Sequence, residues 1–172
     1  MKKDIISKIE NIAILSLAAL IVIFTALVFT QKIACISASG PSMDRYEGYE
    51  HPSVEIGFSP DFFHLSIERF DTVSVNNGMS FNLGKRVIGL PGETVVIDHG
   101  TVYIDGVELE NDPGSWWSND YNKPNTYFEW ELGENEYIVL GDNRYISYDS
   151  CAFGPVTSDM IEYITIGVPF FK

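Results

Sequence analysis

The chain has 172 residues, enough for one domain with a real core. With 45% hydrophobic and 20% charged residues it does not have the composition of a disordered chain. Its formal net charge of −13 repels phosphate backbones, argues against nucleic acid as a partner and disfavours flat docking onto anionic lipid.

Lys2, Lys3 and Lys8 lie ahead of residues 12–30, a run with no charge at all. As a helix rising about 1.5 Å per residue, such a run spans roughly the 30 Å of a hydrocarbon core. A transmembrane helix is therefore predicted over residues 12–30. Lysines before it and acids after it place residues 1–11 in the cytoplasm and residues 32–172 outside, with a single pass through the cell membrane. A removable signal peptide is the rival, but its apolar core would be only about 7–15 residues. The small residues Ser37-Ala38-Ser39 suit a processing site, whereas Lys32 weakens a lipoprotein reading of Cys35.

Beyond the membrane the pattern is β. Residues 44–68, with Gly48, Pro52, Gly57 and Pro60, read as connecting loops. Residues 71–75 alternate and are β-branched, and 85–88 suit a strand with one face buried. Residues 94–97, 101–104 and 107–109 are apolar runs separated by His99-Gly100 and Asp105-Gly106, which predicts a meander with two tight turns. Residues 111–130, rich in Trp and Tyr, read as an irregular loop packed onto a sheet, so that 96–136 forms a hairpin and aromatic-loop insertion in the 32–172 domain. Residues 136–140 are another strand, stopped by Gly141-Asp142-Asn143. Residues 159–163 are expected to form one short helix.

Three segments carry candidate chemistry. Gly40-Pro41-Ser42-Met43 presents a serine hydroxyl a dozen residues past the predicted membrane exit, where a substrate would itself be membrane-inserted. Lys85, ahead of Arg86, Val87 and Ile88, presents an amine on a strand that burial can desolvate. To serve as a base its pKa must fall from about 10.4 to near neutrality, which costs about 4 kcal/mol. The third segment, 141–150, offers Ser147 to orient that amine and Asp149 to support the arrangement. A desolvated lysine can activate a serine, and backbone N–H groups at Ser42 can stabilise an oxyanion. The hydrolase elbow fails at Asp44, and no S-x-x-K occurs. His51, His64 and His99 are scattered, so neither a triad nor a metal site is assigned, and no cofactor is expected. Cys35 and Cys151 show no metal spacing; a disulfide between them and two free thiols both stay open.

These segments resemble those of the bacterial type I signal peptidases. Gly40-Pro41-Ser42-Met43 looks like that family's nucleophile box and KRVIGLPG at 85–92 like its lysine box. GDNR at 141–144 with Ser147, Asp149 and Ser150 looks like its closing box, followed by Phe153-Gly154-Pro155-Val156. Arg69 to Val73 resembles the intervening strand. The resemblance implies a mainly β fold of twisted antiparallel sheets, akin to LexA, on an N-terminal transmembrane helix. It implies a serine endopeptidase that cleaves preprotein signal peptides after a small-x-small motif, with Ser42 as nucleophile and Lys85 as general base. Ile36, Ala38, Met43 and Gly84 are the substrate-binding candidates, with the strand through Ile36 and Ala38 pairing with an extended peptide. The chain departs from the pattern at Arg45, Tyr46, Gly84 and Cys151; an arginine usual at the last of these would pair with Asp149. Relatives linked to pilus assembly supply the alternative, an assembly factor for pilins or sortase-pathway proteins. A self-cleaving LexA-type repressor shares the chemistry but lacks a membrane helix.

Overall fold

The computed structural model describes residues 2–36, 43, 55–114 and 126–167. Two compact units divide at Ala34 and Cys35. The first is built on α1 (Lys2–Phe29), of which Lys8–Phe29 is long and apolar enough to cross a membrane. Two of its hydroxyls are satisfied within the helix: Ser16 Oγ donates to Ala13 O at 2.8 Å and Thr25 Oγ1 to Ile21 O at 3.0 Å. That is what a polar side chain needs in hydrocarbon, where no water is at hand. The helix ends in a Schellman turn, with Gln31 N bonded to Val28 O and Lys32 N to Leu27 O. Gln31 takes the left-handed position at φ 59°, one residue beyond the end expected from sequence.

The second unit is mainly antiparallel β. The larger sheet runs β1 (Ile33–Ile36), β2 (Glu55–Phe58), β11 (Ile161–Gly167), β3 (Thr72–Val75), β4 (Leu83–Gly89), β9 (Glu136–Leu140), β10 (Val156–Thr157). The smaller runs β7 (Val107–Glu108), β6 (Thr101–Ile104), β5 (Thr94–Asp98), β8 (Tyr127–Glu131). A short helix α2 (Pro60–Phe63) follows β2, and α3 (Ser150–Phe153) precedes β10. The meander forms as expected: Asp98 pairs Thr101 and Ile104 pairs Val107 across two-residue turns. Both residues of each turn have positive φ, 48° and 79° at His99-Gly100, 51° and 81° at Asp105-Gly106, the backbone that a twisted two-residue hairpin requires.

Three expectations are corrected. Residues 55–63 are β2 and α2 rather than loop, while 44–54 lie outside the described residues. Tyr127–Glu131 is a strand, pairing Trp130 with Val95 and Phe128 with Ile97. Phe128 and Trp130 stack at 5.4 Å and pack on the core, while Tyr127, Glu129 and Glu131 face out. Residues 159–163 are not a helix: a 3-10 turn at Ser158–Met160 gives way to β11, which sits between β2 and β3. Pairing on both sides outweighs a weak local helical preference.

The larger sheet is buried on both faces along β4 and β9. Ile88, Ile138 and Leu140 join Val95, Ile97, Val102 and Leu132 in the core beneath the smaller sheet. Val87 and Val139 point the other way, with Val73, Val75, Val156 and Ile161. Where β4 ends, Leu90-Pro91-Gly92-Glu93 turns the corner into the smaller sheet. Glu93 Oε2 accepts from Leu90 N at 2.8 Å, and Arg69 bridges Glu93 and the Ile88 carbonyl. Gly89 is packed so tightly that a Cβ there would lie 2.6 Å from Val95 Cγ2 and 2.9 Å from Leu132 Cδ1.

Candidate active site

Lys85 is the centre of the described site. It lies on β4 directly opposite Val73 of β3, on the same sheet face as Val87. Only 2% of it is exposed. Burial among these valines pulls its amine down from 10.5 to about 8, against the opposing pull of Asp149 and then Asp142. Desolvation outweighs the two carboxylates, each of which already has other partners.

The two carboxylates come from the 141–150 segment, which leaves β9. Asp142, wholly buried, receives Arg86 Nε at 2.6 Å and Nη2 at 2.7 Å in a two-pronged pair. Arg86 also donates to Phe70 O at 2.8 Å. The neighbouring cation of β4 is thus bound on the opposite sheet face from Lys85. Asp149 is the N-cap of α3: its carboxylate accepts from Cys151 N at 3.1 Å and from Gly141 N at 3.0 Å. Ser150 Oγ accepts from Val139 N at 3.0 Å and so ties α3 to β9. Ser147 Oγ is buried and has no hydrogen-bond partner among the described residues.

Cys35 and Cys151 are free thiols, which removes the disulfide alternative. The Cys151 thiol is pushed up to about 12, first by burial and then by Asp149, to which it donates. The position where an arginine is usual therefore holds a neutral donor to the same carboxylate.

Of the residues singled out from sequence, Lys85 and Asp149 are brought together, and Ser147 is half-buried on the segment that carries Asp149, its Oγ turned away from solvent. Met43 is buried, Ile36 is half-buried at the end of β1, and Gly84 is exposed, with open space where a Cβ would stand. Ser42 and Ala38, with Arg45 and Tyr46, lie outside the described residues. The Arg86–Asp142 pair was not foreseen, although both residues stand inside the quoted motifs; the signal was a bidentate-capable arginine beside the lysine and an aspartate ahead of a turn. Among the described residues no group of three or more His, Cys, Asp or Glu comes together to hold a metal.

The chain is similar to known proteins over most of its length. Residues 8–167 match the family described as signal peptidase, peptidase S26. Signal peptidase IB of Staphylococcus aureus (strain COL) is 28% identical over 176 residues, covering 94% of this chain and 87% of that protein. Signal peptidase I V of Bacillus subtilis (strain 168) is 33% identical over 100 residues, covering 53% of this chain and only 60% of that protein. A crystal structure of a signal peptidase I from Enterococcus faecalis V583 superposes with a TM-score of 0.50 at 35% identity, covering 58% of this chain and 96% of that one.

Proposed function

The chain belongs to the signal peptidase family, peptidase S26, and on that premise we propose that it is a membrane-anchored serine endopeptidase. It removes signal peptides from exported preproteins after a small-x-small motif, with Ser42 as nucleophile and Lys85 as general base. The observation that carries this reading is a buried lysine whose amine is lowered to about 8. Near pH 7.5 roughly a quarter of such an amine is neutral, against about one part in a thousand for a free lysine.

In this reading the neutral Lys85 Nζ takes the proton from Ser42 Oγ as that oxygen attacks the scissile carbonyl. The resulting ammonium gives the proton to the departing amine, leaving an acyl-enzyme. Water then attacks with Lys85 again as base, which releases the new carboxylate and restores Ser42. Ser147, whose Oγ makes no hydrogen bond to Lys85 in this structure, supplies the hydroxyl that orients the amine once substrate is engaged, and Asp149 holds the loop that carries Ser147. Ile36, Ala38, Met43 and Gly84 line the extended peptide. Residues 12–30 are the span, 1–11 its cytoplasmic end, and 32–172 the extracytoplasmic domain containing the 96–136 insertion. The family match does not favour the pilin-assembly alternative.

The test uses the full chain in a cell lacking its own copy, with Ser42→Ala and Lys85→Ala beside the parent. Loss of preprotein processing in both variants is expected, with a parent rate that rises with pH through a midpoint near 8. Full processing by either variant would falsify the dyad. Protease added to intact protoplasts should remove residues 32–172, and their protection would overturn the orientation.

A further inference from the structure

A second buried ion pair takes no part in the chemistry above. Asp112 follows β7 in the small-sheet excursion, Arg144 follows β9, and both are buried. Arg144 Nη2 donates to Asp112 Oδ1, and Arg144 Nε donates to Gly141 O at 2.9 Å. Asp112 Oδ1 also accepts from Gly114 N at 3.0 Å, closing an Asp-Pro-Gly turn around the guanidinium. A Cβ at Gly114 would lie 2.4 Å from Arg144 Nε and 2.5 Å from Cζ, so the planar group rests on bare backbone. Burying two charges is costly, and such a pair is weak as a source of stability alone.

What the pair holds is Gly141. Its carbonyl is bound by Arg144 and its N–H by Asp149 Oδ2 at 3.0 Å. Gly141 is therefore fixed from both sides, between a guanidinium anchored in the small-sheet excursion and the carboxylate whose charge is felt at Lys85. We propose that Asp112, Gly114 and Arg144 are positioning residues: a brace that clamps the small-sheet excursion onto the 141–149 loop and keeps that loop closed over Lys85. The proposal rests on the reading of Lys85 as general base.

The groups around Lys85 set the expected direction. The charges of Asp149 and Asp142 are felt there, Asp142 is held by Arg86, and Asp149 is met by the Cys151 thiol, where the Arg144 charge is also felt. Burial is the leading cause of the depressed amine. A loosened loop admits water, and the amine climbs back towards the value of a free lysine.

The experiment compares the full chain in detergent micelles with Asp112→Asn and Gly114→Ala, measuring kcat and KM on a signal-peptide substrate against pH. In parallel, the Lys85 amine is titrated by NMR of lysine-labelled protein, its signal assigned by loss in Lys85→Met. The expected result is kcat about tenfold lower with KM little changed, and a Lys85 midpoint raised by about half a pH unit or more. Arg144→Lys keeps the charge and loses the second hydrogen bond, and it replaces Gly114→Ala should that variant fail to fold. An unchanged Lys85 midpoint in the folded variants would overturn the brace, whatever happens to kcat. Absence of cleavage by the parent would overturn the enzyme reading instead, and the titration would still decide the brace.

Discussion

Replacing Lys85 with methionine should make the folded domain more stable at neutral pH while abolishing cleavage. Methionine fills a similar volume without a charge to desolvate. The amine's fall from 10.5 to about 8 corresponds to roughly 3–3.5 kcal/mol at about 1.4 kcal/mol per pH unit. In the lysine protein the folded pKa lies below the unfolded one, so between pH 8 and 10.5 the unfolded chain holds more protons and stability rises with pH. The full cost is present below that window and gone above it. The advantage of the methionine variant should therefore be roughly 3–3.5 kcal/mol at pH 7 and shrink to a packing difference by pH 10.5. For a domain of this size that is a rise in midpoint of roughly 6–12 °C. Near-ultraviolet circular dichroism of the full chain in micelles follows the tyrosines and tryptophans of the β unit, since α1 contains neither. Other groups that titrate at high pH are common to both proteins and cancel in the difference. Equal midpoints at pH 7, or a gap that persists undiminished at pH 10.5, would refute the desolvation argument.

Ser147→Ala should slow cleavage strongly yet leave the thermal midpoint nearly unchanged, because the hydroxyl has no partner among the described residues; a large loss of stability would mean a structural role. Arg86→Ala removes both guanidinium bonds from the buried Asp142 carboxylate and should cost about 3–5 kcal/mol in a urea melt, whereas Arg86→Met with Asp142→Leu should recover much of it. Maleimide at pH 7 should label the exposed Cys35 quickly and Cys151 only on unfolding, since the Cys151 thiol is raised to about 12; fast double labelling in the native state would contradict the packing around Asp149.

Local chemistry was legible in the sequence and long-range pairing was not. The turns at His99-Gly100 and Asp105-Gly106 could be read because positive φ at both central residues is a demand that few dipeptides meet. The charge-free run could be read because length and apolarity alone decide it. The strand Tyr127–Glu131 shows the alternation of Phe128 and Trp130, but its partner β5 lies some thirty residues earlier, and the surrounding aromatics suggested a loop. Ile161–Gly167 was missed for the same reason, since β2 and β3 hold it from either side. At the site, a lysine followed by Val87 and Ile88 signalled burial. The partners of the flanking charges are set by tertiary pairing, Arg86 with Asp142 by the neighbouring strands β4 and β9 and Asp112 with Arg144 by the two sheets coming together. No spacing within a motif could give them.

The corner at Gly89 has a consequence for genetics. The run that begins at Lys85 ends by turning the chain from one sheet into the other, through a position with no room for a methyl group. A screen that scores only lost processing will therefore return alleles at Gly89 beside those at Lys85 and will not tell them apart. Temperature separates them: a Gly89 allele fails by unfolding and should recover in the cold, whereas a Lys85 allele is silent at every temperature. Dominance separates them too, because an inert but folded chain still occupies the membrane and its substrates while an unfolded one is degraded.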